Sequence, residues 1–432
     1  MAVYSLEHHG GKAIYHDAAE NVTIELPEAC RAGLAAPEPM DVITDAHCFR
    51  EAVQKPVSGP GIAEIARAMG AKSACVLVSD ATRNVPNHLV AGEVVDALVA
   101  GGVPEEGIHF FVAIGVHRDA TEEEMRRTLG EKLWGKVSIE NHTPYDRSNL
   151  VCLGDTSRGT PVEVNRRAYE CDMHISIGKV EPHEFAGFSG GRKSVLPGVS
   201  SERTIIVNHR PEMLYEEACV PGVLEGNSIH ADMLETARLF RIDYTISFVM
   251  TGDGEPSAIF GGSLEDSHAA AVAYLRRYCN IRIGKPDIIV TTPGAPLNID
   301  FYQSMKPLIA LTDVLDESST VVMYCACPEG INSEDMMAPF RATDNLEDMV
   351  RYTTDNYRIQ MDHALLLSKI LRKRPKLLVW SPNVSRADIE SMYFEACDGL
   401  DGLMARAFEL CGKSEPSVLF YPQAQKTLPS IQ

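Results

Sequence analysis

The chain has 432 residues, 45% of them hydrophobic, and its 60 acidic side chains against 40 basic ones leave a formal net charge of −20. That length predicts two or three domains with ample apolar material for their cores, and no run of eighteen apolar residues is present to form a membrane-spanning helix. The negative balance argues against a nucleic-acid partner, because no basic stripe offsets it; an anionic ligand would have to be met by cations gathered in one place.

In chain order, the opening MAVYSLEHHGGKAIYHD has neither the basic nor the apolar region of an export signal. Eleven scattered cysteines form no C-x-x-C pair, which reads as a reduced, cytoplasmic protein. The alternation in GKAIYHDAAENVTIELPE predicts a short antiparallel piece, closed by the connector AAPEP. The rhythm then changes. Ile62 to Met69 has a helical pattern, Ser73 to Ser79 (SACVLVS) is a strand apolar on both faces, HLVAGEVVDALVAGG is a helix stopped by glycine, and Ile108 to Gly115 is a second buried strand. MHISIGKV and YTISFVMT supply two more strands. Such alternation predicts a parallel sheet covered by helices. The helix SHAAAVAYLRRYC (Ser267 to Cys279) precedes a fresh start near Pro286, where DIIVTT, STVVMYCA and KLLVW read as strands and SMKPLIALTDVL as a helix. Cys325 and Cys327 follow an apolar strand and read as a buried reduced pair rather than a metal knuckle. The predicted fold class is therefore α/β, with two domains of mainly parallel sheet, an N-terminal one over 1–280 and a smaller C-terminal one over 281–432. The helical segment after Ser385 is free to pack back on the first domain.

Ligands of open α/β sheets sit off the carboxyl ends of the strands, and that rule selects few residues. Asp80-Ala81-Thr82-Arg83 follows the first strand, Gly115-Val116-His117-Arg118 the second, and Glu181-Pro182-His183 the third. The stretch EPHEFAGFSGGRKSVLPGVSS then surrounds Lys193 with Gly190, Gly191 and Arg192. It is not a phosphate loop: counting from Gly187, the required second glycine falls on Arg192, and Pro197 interrupts the helix that should follow. What remains is a flexible glycine-rich loop that presents a lysine amine between His183 and His209. In the second domain, Tyr302, Gln303 and Lys306 lie within about one helical turn after a strand end, directing an amide and an ammonium toward one place. Strand ends facing each other predict an active-site cleft between the domains.

Taken together, DATR (Asp80 to Arg83), GVHR (His117, Arg118), TSRGTPVEVN (Thr156 to Asn165), KVEPHEFAGFSGGRKSVLPGVSS, NHR with His209 and YQSMK (Tyr302 to Lys306) resemble the nickel-dependent lactate racemase family, six separated motifs in order. Asp119 and Ala120 depart from the apolar residue or proline usual after GxHR, a difference that bears on substrate choice. The resemblance implies a racemase or epimerase that inverts the Cα of a 2-hydroxy acid by reversible hydride transfer to a lysine-tethered nickel-pincer nucleotide, pyridinium-3-thioamide-5-thiocarboxylic acid mononucleotide carrying nickel. By motif position, Lys193 is the covalent attachment point, His209 the nickel ligand, and His117 and His183 the alternating acid/bases. Arg83, Gln303 and Lys306 are assigned to the substrate carboxylate, and Asp80, Arg118 and Tyr302 to the cofactor and its surroundings. Implied partners are a small 2-hydroxy acid and the enzymes that build and load the cofactor, with no nucleic acid and no membrane; a homo-oligomer is compatible with this. Two rival readings remain: a hydrolase with His117, His183 and His209 on zinc, and a non-enzymatic carrier of the nickel cofactor.

Overall fold

The computed structural model describes residues 3–432. Contacts divide the chain into two compact units, Pro39–Arg277 on the one hand and the described residues up to Glu38 with Tyr278–Gln432 on the other.

The unit Pro39–Arg277 is built on a six-stranded sheet in the order Pro256–Gly262, Tyr244–Met250, Met173–Lys179, Ala74–Ser79, Ile108–Ala113, Ser138–Asn141. Every neighbouring pair is parallel except the first. The four predicted strands are its centre, and the two unpredicted ones are its edges. Alternation along Ala74–Ser79 explains why a continuous apolar run is needed. Val76 and Val78 point into a core with Val94 and Leu98 of the helix His88–Gly101, while Cys75 and Leu77 point into the opposite core with Ala237 and Phe240 of the helix Ser228–Phe240. Gly101 lets the helix Ile62–Met69 approach closely, since a Cβ there would lie 2.6 Å from the Ala66 Cβ and 2.9 Å from the Ala63 carbonyl oxygen. From its first strand the sheet grows one way through Ile108–Ala113 and Ser138–Asn141, then the other way through Met173–Lys179 and Tyr244–Met250. The reversal point, where open α/β sheets bind ligands, lies between Ala74–Ser79 and Met173–Lys179.

The other unit holds an all-parallel sheet in the order Glu395–Ala396, Lys376–Trp380, Thr320–Tyr324, Ile288–Thr291, Ser417–Phe420, Arg31–Leu34. Here the structure departs from the expected 1–280 domain. Arg31–Leu34 is an edge strand of this sheet, and the antiparallel meander Tyr4–His9, Lys12–Asp17, Val22–Leu26 packs on it. Tyr15 stacks on Phe420 with centroids 4.2 Å apart, so the first residues fold with the last ones. The helix Gly399–Cys411 likewise stays in this unit, burying Leu403, Met404 and Ala407 against Ile288, Val290 and Val322. The segment after Ser385 also contributes strands as well as helices. SMKPLIALTDVL is not one helix but Phe301–Ser304, Lys306–Ala310 and a 3-10 turn, with Pro307 at the start of the second piece. Cys325 and Cys327 are buried, as expected, and are not joined in a disulfide.

Candidate active site

Asp80 begins the site in Pro39–Arg277. It ends its strand, caps the turn Ala81–Arg83 by accepting from the Thr82 backbone N–H at 2.8 Å, and turns its other oxygen to His117 Nδ1 at 3.0 Å. Burial pushes the Asp80 carboxyl upward, but the hydrogen bond from His117, the nearby Arg83 and His117 charges and the bond from Thr82 together hold it well below the usual carboxylate range. A carboxylate on Nδ1 fixes that proton in place and leaves Nε2 of His117 as the basic nitrogen. Arg83 Nη2 lies 3.4 Å from that Nε2. Asp80, Arg83 and His117 are thus one connected group.

A second group gathers around Phe185. His183 sits in the small hairpin Pro182–His183/Gly187–Phe188, its ring 4.6 Å from that of Phe185, which also meets the His209 ring at 4.9 Å. Lys193 Nζ lies 3.1 Å from His183 Nε2 and 5.6 Å from the Phe185 centroid. Glu184 Oε2 is 3.3 Å from His183 Nδ1. His209 caps the helix Glu202–Asn208 and donates Nδ1–H to the Ile205 carbonyl at 3.0 Å, so the lone pair of Nε2 is available. Burial first, then the Lys193 charge, push His209 down to about 3, which keeps the imidazole neutral.

The glycine-rich stretch is packed, in contrast to the flexible loop expected. Gly190, Gly191, Arg192 and Ser194 are buried, and Lys193 is the partly exposed residue among them. Gly190 has φ +83°, and a Cβ there would meet the Lys179 carbonyl oxygen and Val180 Cγ2 at 2.9 Å. Arg192, with 2% of its surface exposed, binds the carbonyls of Ala186 and Phe188 at 2.8 Å each and His268 Nε2 at 2.9 Å. It fastens the His183 hairpin to the Lys193 turn, and burial pushes its guanidinium down to about 9. The Gly115 N–H, two residues before His117, donates to the Gly198 carbonyl at 2.9 Å and ties the two groups' loops together.

TSRGTPVEVN acquires a structural role. Thr156, Thr160 and Asn208 all donate to the buried carboxylate of Asp232, which locks the residue preceding His209. Glu184, Phe185, Arg192 and Asp232 escaped sequence reasoning as site residues because nothing in spacing marks an arginine whose partners are mainly backbone carbonyls or an aspartate whose partners come from distant segments.

Other predicted residues are placed differently. Arg118 forms a two-pronged pair with Glu124 at 2.7 and 2.8 Å and is 61% exposed; the pair supports the start of the helix Glu122–Leu129. In the other unit, Asp300 caps the turn carrying Tyr302 and Gln303 by accepting from the Gln303 N–H at 2.7 Å. Tyr302 stacks on His363 with centroids 4.0 Å apart. Gln303 Oε1 is buried without a hydrogen-bond partner among the described residues. Lys306 opens the next short helix.

The residues present fit a lysine-tethered nickel nucleotide better than a zinc cage. Among the described residues, no three His, Cys, Asp or Glu side chains gather as a metal-binding group, so His117, His183 and His209 do not converge on one zinc ion. A cofactor that brings most of the metal's donors needs little more from the protein than one neutral imidazole and one amine, and His209 and Lys193 meet around the same phenylalanine.

Comparison with known proteins follows the same lines. Sequence profiles of the lactate racemase N-terminal domain and the lactate racemase C-terminal domain match residues 16–220 and 281–424. A lactate racemase from Lactiplantibacillus plantarum is 29% identical over 377 residues, 86% of this chain and 88% of that protein. One from Thermoanaerobacterium thermosaccharolyticum is 28% identical over 302 residues, 70% of each chain. The solved lactate racemase apoprotein from the latter organism superposes with a TM-score of 0.86 at 23% identity, covering 95% of this chain and 97% of that one. A Thermotoga maritima protein superposes with a TM-score of 0.69 at 16% identity, covering 91% and 100%.

Proposed function

We propose, for a chain that belongs to the lactate racemase family, that it is an isomerase inverting the Cα of a 2-hydroxy acid, with Lys193 tethering a nickel-pincer nucleotide and His209 binding its nickel. The observation that carries this reading is a matched pair of bases. His117 and His183 follow the two strands that flank Ala74–Ser79, strands about 10 Å apart at the usual spacing, and each has a carboxylate on Nδ1, Asp80 at 3.0 Å and Glu184 at 3.3 Å.

The chemistry follows from the substrate. The Cα–H of a 2-hydroxy acid is a very weak acid because the adjacent carboxylate is already negative, so imidazole is too weak to take it as a proton. The hydroxyl proton is within its reach, provided that the Cα hydrogen departs as hydride. The bound nucleotide supplies the acceptor for that hydride. One histidine accepts the hydroxyl proton of one enantiomer and the other returns a proton to form its mirror image, a role suited to a group whose unperturbed pKa is about 6.5. Arg83, beside His117, and Gln303 and Lys306 are assigned to the substrate's oxygens; Asp80 orients His117, and Tyr302 supports the Gln303 turn. A carrier would have no use for two oriented bases. No helix of the described residues is long and apolar enough to cross a membrane, and all eleven cysteines are free; we place the protein in the cytoplasm, alongside the enzymes that load its cofactor.

Incubation of the loaded protein with enantiopure 2-hydroxy acids, among them lactate, malate, aromatic acids and aldonates, should invert at least one of them. Inversion of none, together with hydrolysis of an ester or amide, would overturn the assignment. His209→Ala is expected to lower nickel content, measured by elemental analysis, while thermal stability stays close to that of the parent. Full nickel retention would remove His209 from the coordination sphere.

A further inference from the structure

Nucleophilic catalysis has a geometric signature: a nucleophile within hydrogen-bond reach of a base that is itself oriented by a third group. Lys193, His183 and Glu184 meet it. Lys193 Nζ is 3.1 Å from His183 Nε2, and Glu184 Oε2 is 3.3 Å from His183 Nδ1. An ammonium only donates, so a bond from Lys193 to Nε2 requires the imidazole's own proton to sit on Nδ1, where Glu184 is the acceptor. The Ala186 N–H, 3.5 Å from the same Nδ1, donates to that nitrogen in the other tautomer, with the imidazole proton on Nε2, so the two tautomers exchange one Nδ1 partner for another. The Asp80–His117 pair repeats the base and its carboxylate, but its Nε2 faces Arg83, which keeps its proton and cannot act as a nucleophile.

We propose that Lys193, His183 and Glu184 form a nucleophile–base–acid triad with which the protein acylates itself on Lys193, His183 removing the ammonium proton before it ever meets a substrate. The inference rests on the reading of Lys193 as the tether. The acyl donor is an aromatic thiocarboxylic acid. In the step, the Nζ–C bond forms, the C–O bond of the thiocarboxylate breaks, and the oxygen leaves as water. The two protons that Nζ gives up pass through His183 to that oxygen, and nothing is oxidised or reduced. Glu184 stabilises the imidazolium while it lasts. Once Lys193 is a neutral thioamide nitrogen, it no longer holds its ammonium against Nε2, and His183 is released for turnover. One imidazole thus serves first the tether and then the reaction.

The test needs neither nickel nor a 2-hydroxy acid, so its failure is separable from failure of the racemase reading. Full-length protein made without the cofactor enzymes is treated with a small aryl thioester at neutral pH, and acylation of the Lys193 peptide is compared by mass spectrometry with that of Lys55, an exposed lysine of the same chain. The Lys193-to-Lys55 ratio should fall by about 10²-fold in His183→Gln and His183→Ala, the loss typical of a positioned base, and by less in Glu184→Gln. His183→Gln keeps a polar side chain of similar reach, so it decides the matter if the alanine variant misfolds. An unchanged ratio in His183→Gln would overturn the triad.

Discussion

Lys193→Ala, made alongside the cofactor-building enzymes, is expected to carry no adduct on its Gly-Arg-Xaa-Ser peptide, to lose nickel and to show no inversion of any 2-hydroxy acid. Because Lys193 is the partly exposed member of a buried stretch, its removal leaves the packing of Arg192 and Val195 in place, and the fold should survive. Lys193→Arg sharpens the result. Arginine preserves the positive charge beside His183 but is never deprotonated in a protein and so offers no nucleophile; it should fail as completely as alanine. If lysine merely neutralised an anionic ligand, arginine would restore binding. Peptide mass, nickel content and inversion are measured on the same preparations, and nickel-bound, active Lys193→Ala would refute the tether outright.

The central strands could be read in the sequence because each is buried on both faces, which demands an unbroken apolar run such as ACVLVS. The same rule hid Arg31–Leu34. A four-residue edge strand, RAGL, lies half exposed and shows no such run, and its partner Ser417–Phe420 is almost four hundred residues away. His117, His183 and Lys193 could be singled out as candidates because strand ends gather in space whatever their separation in sequence. The partner of Arg118 was not legible in the same way: adjacency to His117 says nothing about direction, and Glu124, the third residue of the next helix, pairs with it. Arg192 looked like an obstruction in a phosphate loop. Its true partners are three backbone carbonyls and His268, and carbonyl acceptors leave no trace in sequence. Gly190 and Gly191 suggested flexibility, yet a left-handed backbone conformation accounts for each, and close packing for Gly190 as well.

Alanine at either His117 or His183 should slow inversion by about 10² to 10⁴-fold, the usual worth of a positioned acid/base, and should do so equally in both directions. The equality is imposed by symmetry. Enantiomers have the same free energy, so the equilibrium constant of racemisation is unity and kcat/KM must match in the two directions, in any variant. The two histidines are separated instead by the half-reaction. With one base gone, the enantiomer whose hydroxyl faces the remaining base can still pass to a bound 2-oxo acid, whereas its mirror image cannot; single-turnover quenching should detect the 2-oxo acid from one enantiomer in His117→Ala and from the other in His183→Ala. His183→Ala must be assayed per tethered Lys193, since His183 also serves the tether. Deuterium at Cα decides what the histidines remove. An imidazole N–H exchanges rapidly with water, so a Cα hydrogen taken as a proton would wash out in step with inversion, whereas histidines that touch only the hydroxyl leave the label in the product. Retained label with matched losses in both directions is the expected result; washout at the rate of inversion would replace hydride transfer with proton abstraction and return these two residues to the Cα itself.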